Sequence, residues 1–255
     1  MGAMRQQLQN KIALITGASS PRDIGTAICR EFASQGIHIF FTYWNSEPAW
    51  IEEFQQTIIN TGVRCESLKM DLSNADAAFK LLDTVETKLG FPSILVNNAA
   101  HSKSDGYLRL DAKTLDEHYA VNMRSTFLLS VEFARRFEKS DLMTGRIINL
   151  TSGQDLGPMP GELAYAATKG AISAFTRSIS QELAPLGITV NAVNPGPTDS
   201  TWMTDEIREQ LLPKFPMGRI GLPEDVARTI AFLASEEGKW ITGQVINSEG
   251  GFIRG

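Results

Sequence analysis

The chain has 255 residues, 42 % of them hydrophobic and 21 % charged, with 29 acidic against 24 basic side chains and a net charge of −5. That balance is ordinary for a globular protein, and it argues against nucleic acid or an anionic membrane surface as the main partner. Cys29 and Cys65 stand alone, which implies a reducing compartment without a disulfide framework or a cysteine metal site. The polar start (Met1, Gly2, Ala3, Met4, Arg5, Gln6, Gln7) and the lack of any apolar run near ~18 residues predict no signal peptide, no membrane span and a cytoplasmic location.

Apolar runs at 12–16, 37–43, 94–97, 147–150, 188–193 and 245–247 predict buried strands, with a weaker candidate at 65–70. Helical periodicity fills the gaps, as in Ile28 and Phe32, or Val226, Ile230, Phe232 and Leu233. Such alternation implies βαβ units: an α/β fold with a single doubly wound, Rossmann-type parallel sheet and helices on both faces. No linker, repeat or composition shift divides the chain, so 1–255 reads as one domain.

The first strand runs into Thr16-Gly17-Ala18-Ser19-Ser20-Pro21-Arg22-Asp23-Ile24-Gly25, and the following helix stops at Gly36. Glycines at a strand-to-helix turn let backbone N–H groups approach a pyrophosphate, which also gains from the helix N-terminus. An NAD site normally has an acid at the end of the second strand for the ribose 2′-hydroxyl. Here Phe41-Thr42-Tyr43-Trp44-Asn45-Ser46 offers none before Glu47, so nothing repels a 2′-phosphate. Arg22 is the candidate to meet that phosphate, the alternative being a solvated side chain. NADP is therefore preferred, with NAD possible.

Farther on, His101 follows Asn97-Asn98-Ala99-Ala100 and is a candidate for the rim of a substrate pocket, whereas His118 is expected on a helix surface. Neither HxxxH nor HExxH spacing occurs, so no metal is expected. Ser152 comes just after a predicted strand. Tyr165 and Lys169 are four residues apart, which on a helix puts them on one face. Lowering a phenol by ~3 pKa units takes about 4 kcal/mol. One ammonium about 4.5 Å away supplies that at an effective dielectric near 20, but not in bulk water. The pair is a general acid/base only in a dry cleft; exposed, it is an ordinary surface contact. Between Ser152 and Tyr165, Gln154 and Glu162 are the candidate substrate neighbours, or else face solvent.

Taken together, Ser152, Tyr165-xxx-Lys169, Asn97-Asn98-Ala99 and Pro195-Gly196 stand in the order found in the short-chain dehydrogenase/reductase family, which the chain resembles from about Lys11 to Gly251. The departures are a glycine loop two residues longer than TGxxxGxG, with Pro21-Arg22-Asp23 where the middle glycine is expected, and Ala100 in place of a glycine. The resemblance implies Asn122, Ser152, Tyr165 and Lys169 as catalytic residues. Tyr165 would protonate the substrate oxygen, Lys169 would lower the Tyr165 pKa and hold ribose hydroxyls, Ser152 would bind the carbonyl, and Asn122 would carry a water-linked relay. It implies cofactor contacts from Gly17, Ser19, Arg22, Ile24, Gly25, Tyr43, Asn98, Ala99, Pro195, Gly196 and Thr198, with Asp71 and Leu72 bracketing adenine.

A mobile substrate lid at about 198–221 would carry a short helix near 205–212, and Trp202, Met203, Phe215 and Met217 would line a pocket or anchor the lid. Pro223, with Glu224 and Asp225, starts the last long helix. The expected activity is NADP-linked reduction of a carbonyl, with 3-oxoacyl-[acyl-carrier-protein] reductases as the nearest likeness. The alternatives are an NAD-dependent sugar, polyol or secondary-metabolite dehydrogenase, or a nucleotide sensor without catalysis. The expected partner is a small carbonyl or acyl-thioester substrate. Relatives form homotetramers, and Phe127, Leu128, Phe133, Phe137, Ile172 and Phe175 give the helices involved apolar faces that core packing explains equally.

Overall fold

The computed structural model describes residues 10–254; the polar start from Met1 to Gln7 lies outside them. Among the described residues seven strands are formed, β1 Ile12–Ile15, β2 His38–Tyr43, β3 Cys65–Lys69, β4 Ile94–Asn97, β5 Gly145–Leu150, β6 Ile188–Asn194 and β7 Val245–Asn247. All pair in parallel, in the order β3-β2-β1-β4-β5-β6-β7. The strand order reverses between β1 and β4, and ligands of open α/β sheets bind at the carboxyl ends of the strands beside such a reversal.

Eight α-helices among the described residues cover the sheet or lie at its C-terminal edge: α1 Ile24–Ser34, α2 Pro48–Ile59, α3 Ala77–Lys88, α4 Ala112–His118, α5 Ser125–Phe137, α6 Leu163–Leu183, α7 Asp205–Leu211 and α8 Pro223–Ala234. Successive side chains on a strand point to opposite faces. Along β1, Ala13 and Ile15 enter one core and Leu14 the other; along β2, Ile39 and Phe41 oppose Phe40. The first core is closed by Ile28 and Phe32 of α1, Phe54 of α2 and Ile230 and Leu233 of α8. The second is closed by Leu81 of α3, Phe133 of α5 and Ile179 of α6. Burial on both faces is why the strands read as continuous apolar runs.

Two expectations change in detail. The weaker strand candidate is a full edge strand, and its signal was thin because only Cys65 is fully buried in it. Phe232 was grouped with the buried face of α8 but is 42 % exposed, because two residues beyond Ile230 is about 200° around the helix. Between α4 and α5 the chain continues without a break through a π-helical segment, Tyr119–Arg124, that carries Asn122.

Candidate active site

The register that pairs Ile15 with both Phe41 and Val96 brings the ends of β1, β2 and β4 level. Thr16 Oγ1 then accepts from Asn98 N at 3.0 Å and Ala99 N at 3.1 Å. Asn98 Nδ2 donates to Thr16 O at 3.0 Å and Gly17 O at 2.7 Å. Gly17 (φ +77°) and Gly25 sit where no side chain fits: a Cβ on Gly17 would fall 2.7 Å from Ala99 Cα, and one on Gly25 would fall 2.2 Å from Gly17 O. The lengthened loop thus still folds back so that its last glycine meets its first. Ser19 Oγ accepts from Trp44 N at 3.1 Å, and Asp23 Oδ2 from Ser19 N at 2.9 Å, so the two extra residues form a closed side loop. The first-turn amides of α1 have no intrahelical acceptor and lie at its positive end.

A cavity of about 610 Å³ opens over these strand ends, lined among others by Ile24, Asn98, Ser152, Tyr165, Lys169, Pro195, Gly196 and Thr198. Its volume is in the range of ligand pockets. Ser152 follows β5, Tyr165 and Lys169 lie in the first two turns of α6, and Pro195, Gly196 and Thr198 follow β6, so three consecutive segments deliver side chains to one space. Lys169 is buried; its Nζ donates to Leu150 O at 2.8 Å and stands 5.4 Å from the Tyr165 ring centroid. Burial pulls this ammonium down to about 8.

The phenol moves opposite to expectation. Burial and the nearby charge of Glu162 push Tyr165 up to about 12, while the facing Ser152 hydroxyl pulls the other way. The Lys169 ammonium is bonded to Leu150 O and lies over the Tyr165 ring.

Several predicted residues take other places. Gln154 is not on the cavity wall; its Oε1 accepts from Ser152 N at 3.1 Å and its Nε2 donates to Ser173 Oγ at 3.0 Å, so it braces Ser152 from behind. Glu162 does line the cavity. Arg22 is held by the segment after β6, its Nη2 2.6 Å from Asp199 Oδ1, which also accepts from Arg208 Nη2 at 3.0 Å. Asp71 caps its own turn, accepting from Ser73 N at 2.9 Å, Leu72 belongs to the second core, and Tyr43 packs at the edge of the first. Of the lid residues, Trp202 faces the cavity, Met203 and Phe215 are buried anchors with Ile220, and Met217 is exposed.

Asn122 is buried with its amide consumed: Oδ1 accepts from His101 N at 2.6 Å, and Nδ2 donates to His101 O at 2.9 Å and Thr168 Oγ1 at 3.1 Å. His118 corrects the surface expectation, being fully buried, bonded to Thr114 O at 2.7 Å and packed edge-on to His101. A helix-face pattern cannot foresee this, because what covers the ring is the loop after β4 folding back over α4, with Lys103 N donating to its Nε2. Among the described residues no three His, Cys, Asp or Glu side chains gather as metal ligands.

Two residues escaped the sequence reading. Asp105 Oδ1 and Oδ2 accept from Leu163 N at 2.7 Å and Ala164 N at 2.8 Å, capping α6 two residues before Tyr165. Arg254, next to last in the chain, lines the cavity. Asp105 carries no local signal, since its partners lie 58 and 59 residues away, and nothing near Arg254 in sequence shows that it reaches the cavity.

A family model described as enoyl-(acyl carrier protein) reductase matches residues 17–253. A Bacillus subtilis (strain 168) protein named Uncharacterized oxidoreductase YjdA is 78 % identical over 247 residues, covering 97 % of this chain and 98 % of its own. The 3-oxoacyl-[acyl-carrier-protein] reductase FabG of Aquifex aeolicus is 35 % identical, covering 98 % of this chain and 100 % of its own. A solved structure of a Serratia marcescens protein of the same kind as the motifs suggest superposes with a TM-score of 0.88 at 33 % identity, over 96 % of this chain and 99 % of that one.

Proposed function

The chain is an oxidoreductase of the short-chain dehydrogenase/reductase family, and on that premise we propose that it is an NADP-preferring carbonyl reductase acting on 3-oxoacyl thioesters or related small carbonyl compounds. The observation that carries the proposal is the convergence of Ser152, Tyr165 and Lys169 on one cavity with Asn98 and the Pro195-Gly196 turn. The residues fit a nicotinamide dinucleotide. Lys169 lines the cavity with one recorded acceptor for its three protons, and the α1 amides are open beside Ile24. The loop 17–25 and Asn98 would hold the dinucleotide, Lys169 the ribose hydroxyls, and the backbone of 195–198 the nicotinamide end. When bound, that group supplies or takes up the hydride.

The protein's own part is proton transfer and orientation. Ser152 donates a hydrogen bond to the substrate oxygen, and Tyr165 gives its proton to the same atom as negative charge develops there. A phenol pushed up to about 12 keeps its proton throughout the physiological range, so it is present in the protonated form that the acid role needs. Glu162 adds to this by repelling a phenolate. For Asn122, the proposed role is support of the relay through the π-helical segment, since both its amide protons are used on His101 and Thr168 and its Oδ1 already accepts from His101 N.

NADP preference is supported by the acid-free end of β2 and by Lys69, whose Nζ stands 5.5 Å from the Trp44 ring centroid there. Arg22 would contribute only after leaving Asp199. A cytoplasmic homotetramer belongs to the same proposal, and Leu128, exposed on α5, is an apolar side chain that a second copy would cover. The test is initial rates with NADPH and NADH over a panel of 3-oxoacyl thioesters, monoketones, sugars and polyols. NADPH-linked reduction of the thioesters is expected; turnover confined to NAD and polyols would overturn the substrate and cofactor proposals together.

A further inference from the structure

One wall of the cavity is built by the last described residues, Phe252 and Arg254. The tail is fastened there. Ile253 N donates to Lys214 O at 2.9 Å, and the Phe252 ring packs on Phe215 of the lid with centroids 5.0 Å apart. The Arg254 guanidinium lies against Gly153, the residue after Ser152. A Cβ on Gly153 would fall 2.4 Å from Arg254 Nη2, and one on Gly157 would fall 3.2 Å from Arg254 Cδ. Neither glycine has a positive φ, so the backbone does not require glycine at these positions. What the missing side chains provide is the seat of this arginine.

Glu249, itself buried, grips the guanidinium from behind: Nη1 donates to Oε2 at 2.8 Å and Nη2 to Oε1. Its Oε1 also accepts from Asn194 Nδ2 at 2.7 Å, and Asn194 Oδ1 accepts from Gly196 N at 3.0 Å. Arg254 is therefore locked to the Pro195-Gly196 turn. Two of its five N–H groups are used on Glu249, leaving three. The pair carries no net charge, and the Glu162 carboxyl on the wall offsets the Lys169 ammonium there. Fixed donors without net positive charge suit a neutral carbonyl oxygen better than a carboxylate.

We infer that Arg254 determines specificity by binding a second, uncharged carbonyl oxygen of the substrate, so that 3-oxo esters and thioesters are preferred over monoketones. Gly153 adjoins Ser152, so the guanidinium and the Ser152 hydroxyl border the same part of the cavity, as two carbonyls of one substrate require. The inference rests on Ser152 and Tyr165 taking the reacting carbonyl, and it adds the group that reads the other one.

The test compares kcat/KM with NADPH for a 3-oxo ester, the 3-oxo acid and a monoketone of the same length, in the wild type and in Arg254→Met. Loss of the fork should lower the ratio of the ester to the monoketone kcat/KM ~10-fold or more, chiefly through the KM of the ester. Because Arg254→Met strands a buried carboxylate, Gly153→Ala serves as the second variant. It keeps both charges, displaces the guanidinium, and should narrow the ester-to-monoketone ratio in the same way. An unchanged ratio in both variants, or a wild-type preference for the acid that Arg254→Met abolishes, would overturn the assignment. Absence of turnover on every carbonyl in the wild type would instead sink the reductase reading, and this inference with it.

Discussion

Lys169 carries its charge among buried atoms with one recorded neutral acceptor, Leu150 O at 2.8 Å, and its pKa falls to about 8. Against an ordinary lysine near ~10.4 that corresponds to roughly 3 kcal/mol against the ammonium in the fold. Between these two pH values the unfolded chain binds the extra proton, so stability rises with pH there, and the cost is fully present below about 8. Replacing Lys169 by Met should therefore raise the melting temperature at pH 7 while lowering kcat/KM, and the stability gap between variant and wild type should close as pH rises from 8 to 10. A variant less stable than wild type at pH 7 would contradict this. Reduction itself should fall above pH about 8 as the ammonium is lost, while Tyr165, pushed up to about 12, stays protonated. At this scale local spacing offered only that Tyr165 and Lys169 share a helix face, and the family resemblance joined Ser152 to them; all three line one cavity. The sequence could not disclose that Gln154 turns inward to Ser173, or that burial raises the phenol, because both depend on what lies across the cleft.

α6 delivers both Tyr165 and Lys169, yet its N-cap residue Glu162 makes no capping bond. Asp105 does so from the loop after β4, accepting from Leu163 N and Ala164 N. Burial opposes its charge, but the amides of Ala164, Leu163 and Gly106 hold its carboxyl below the usual range. Asp105→Ala should cost about 1–2 kcal/mol in urea unfolding, as other lost caps do. It should also lower kcat more than it raises KM, since the first turn of α6 sets the phenol; unaltered unfolding would show that the cap is dispensable. Most elements were legible because both sheet faces are covered, making each strand an apolar run. What was not legible is the reach of Asp105 across 58 residues and the π-helical segment at Tyr119–Arg124, for which propensity holds no sign.

Across the whole molecule, the glycine loop and the lid are tied directly. Arg22 pairs with Asp199 at 2.6 Å, and Thr201 Oγ1 lies 3.4 Å from Asp23 Oδ1. The nucleotide loop and the segment at about 198–221 should then open together. Hydrogen exchange in 199–212 is expected to accelerate in Arg22→Ala and in wild type at high salt, which screens an exposed pair. Exchange indifferent to both would remove the link. The doubly wound order was legible from the alternation of elements, whereas this tie depends on a loop two residues longer than its family pattern. The most direct test of the account as a whole is Tyr165→Phe, with NADPH binding measured by calorimetry and turnover on a 3-oxoacyl thioester measured beside it. Binding should persist within a few-fold while kcat falls by ~10²–10⁴, the usual worth of a positioned general acid. A Phe variant that turns over at nearly the wild-type rate would contradict the central claim that this phenol delivers the proton.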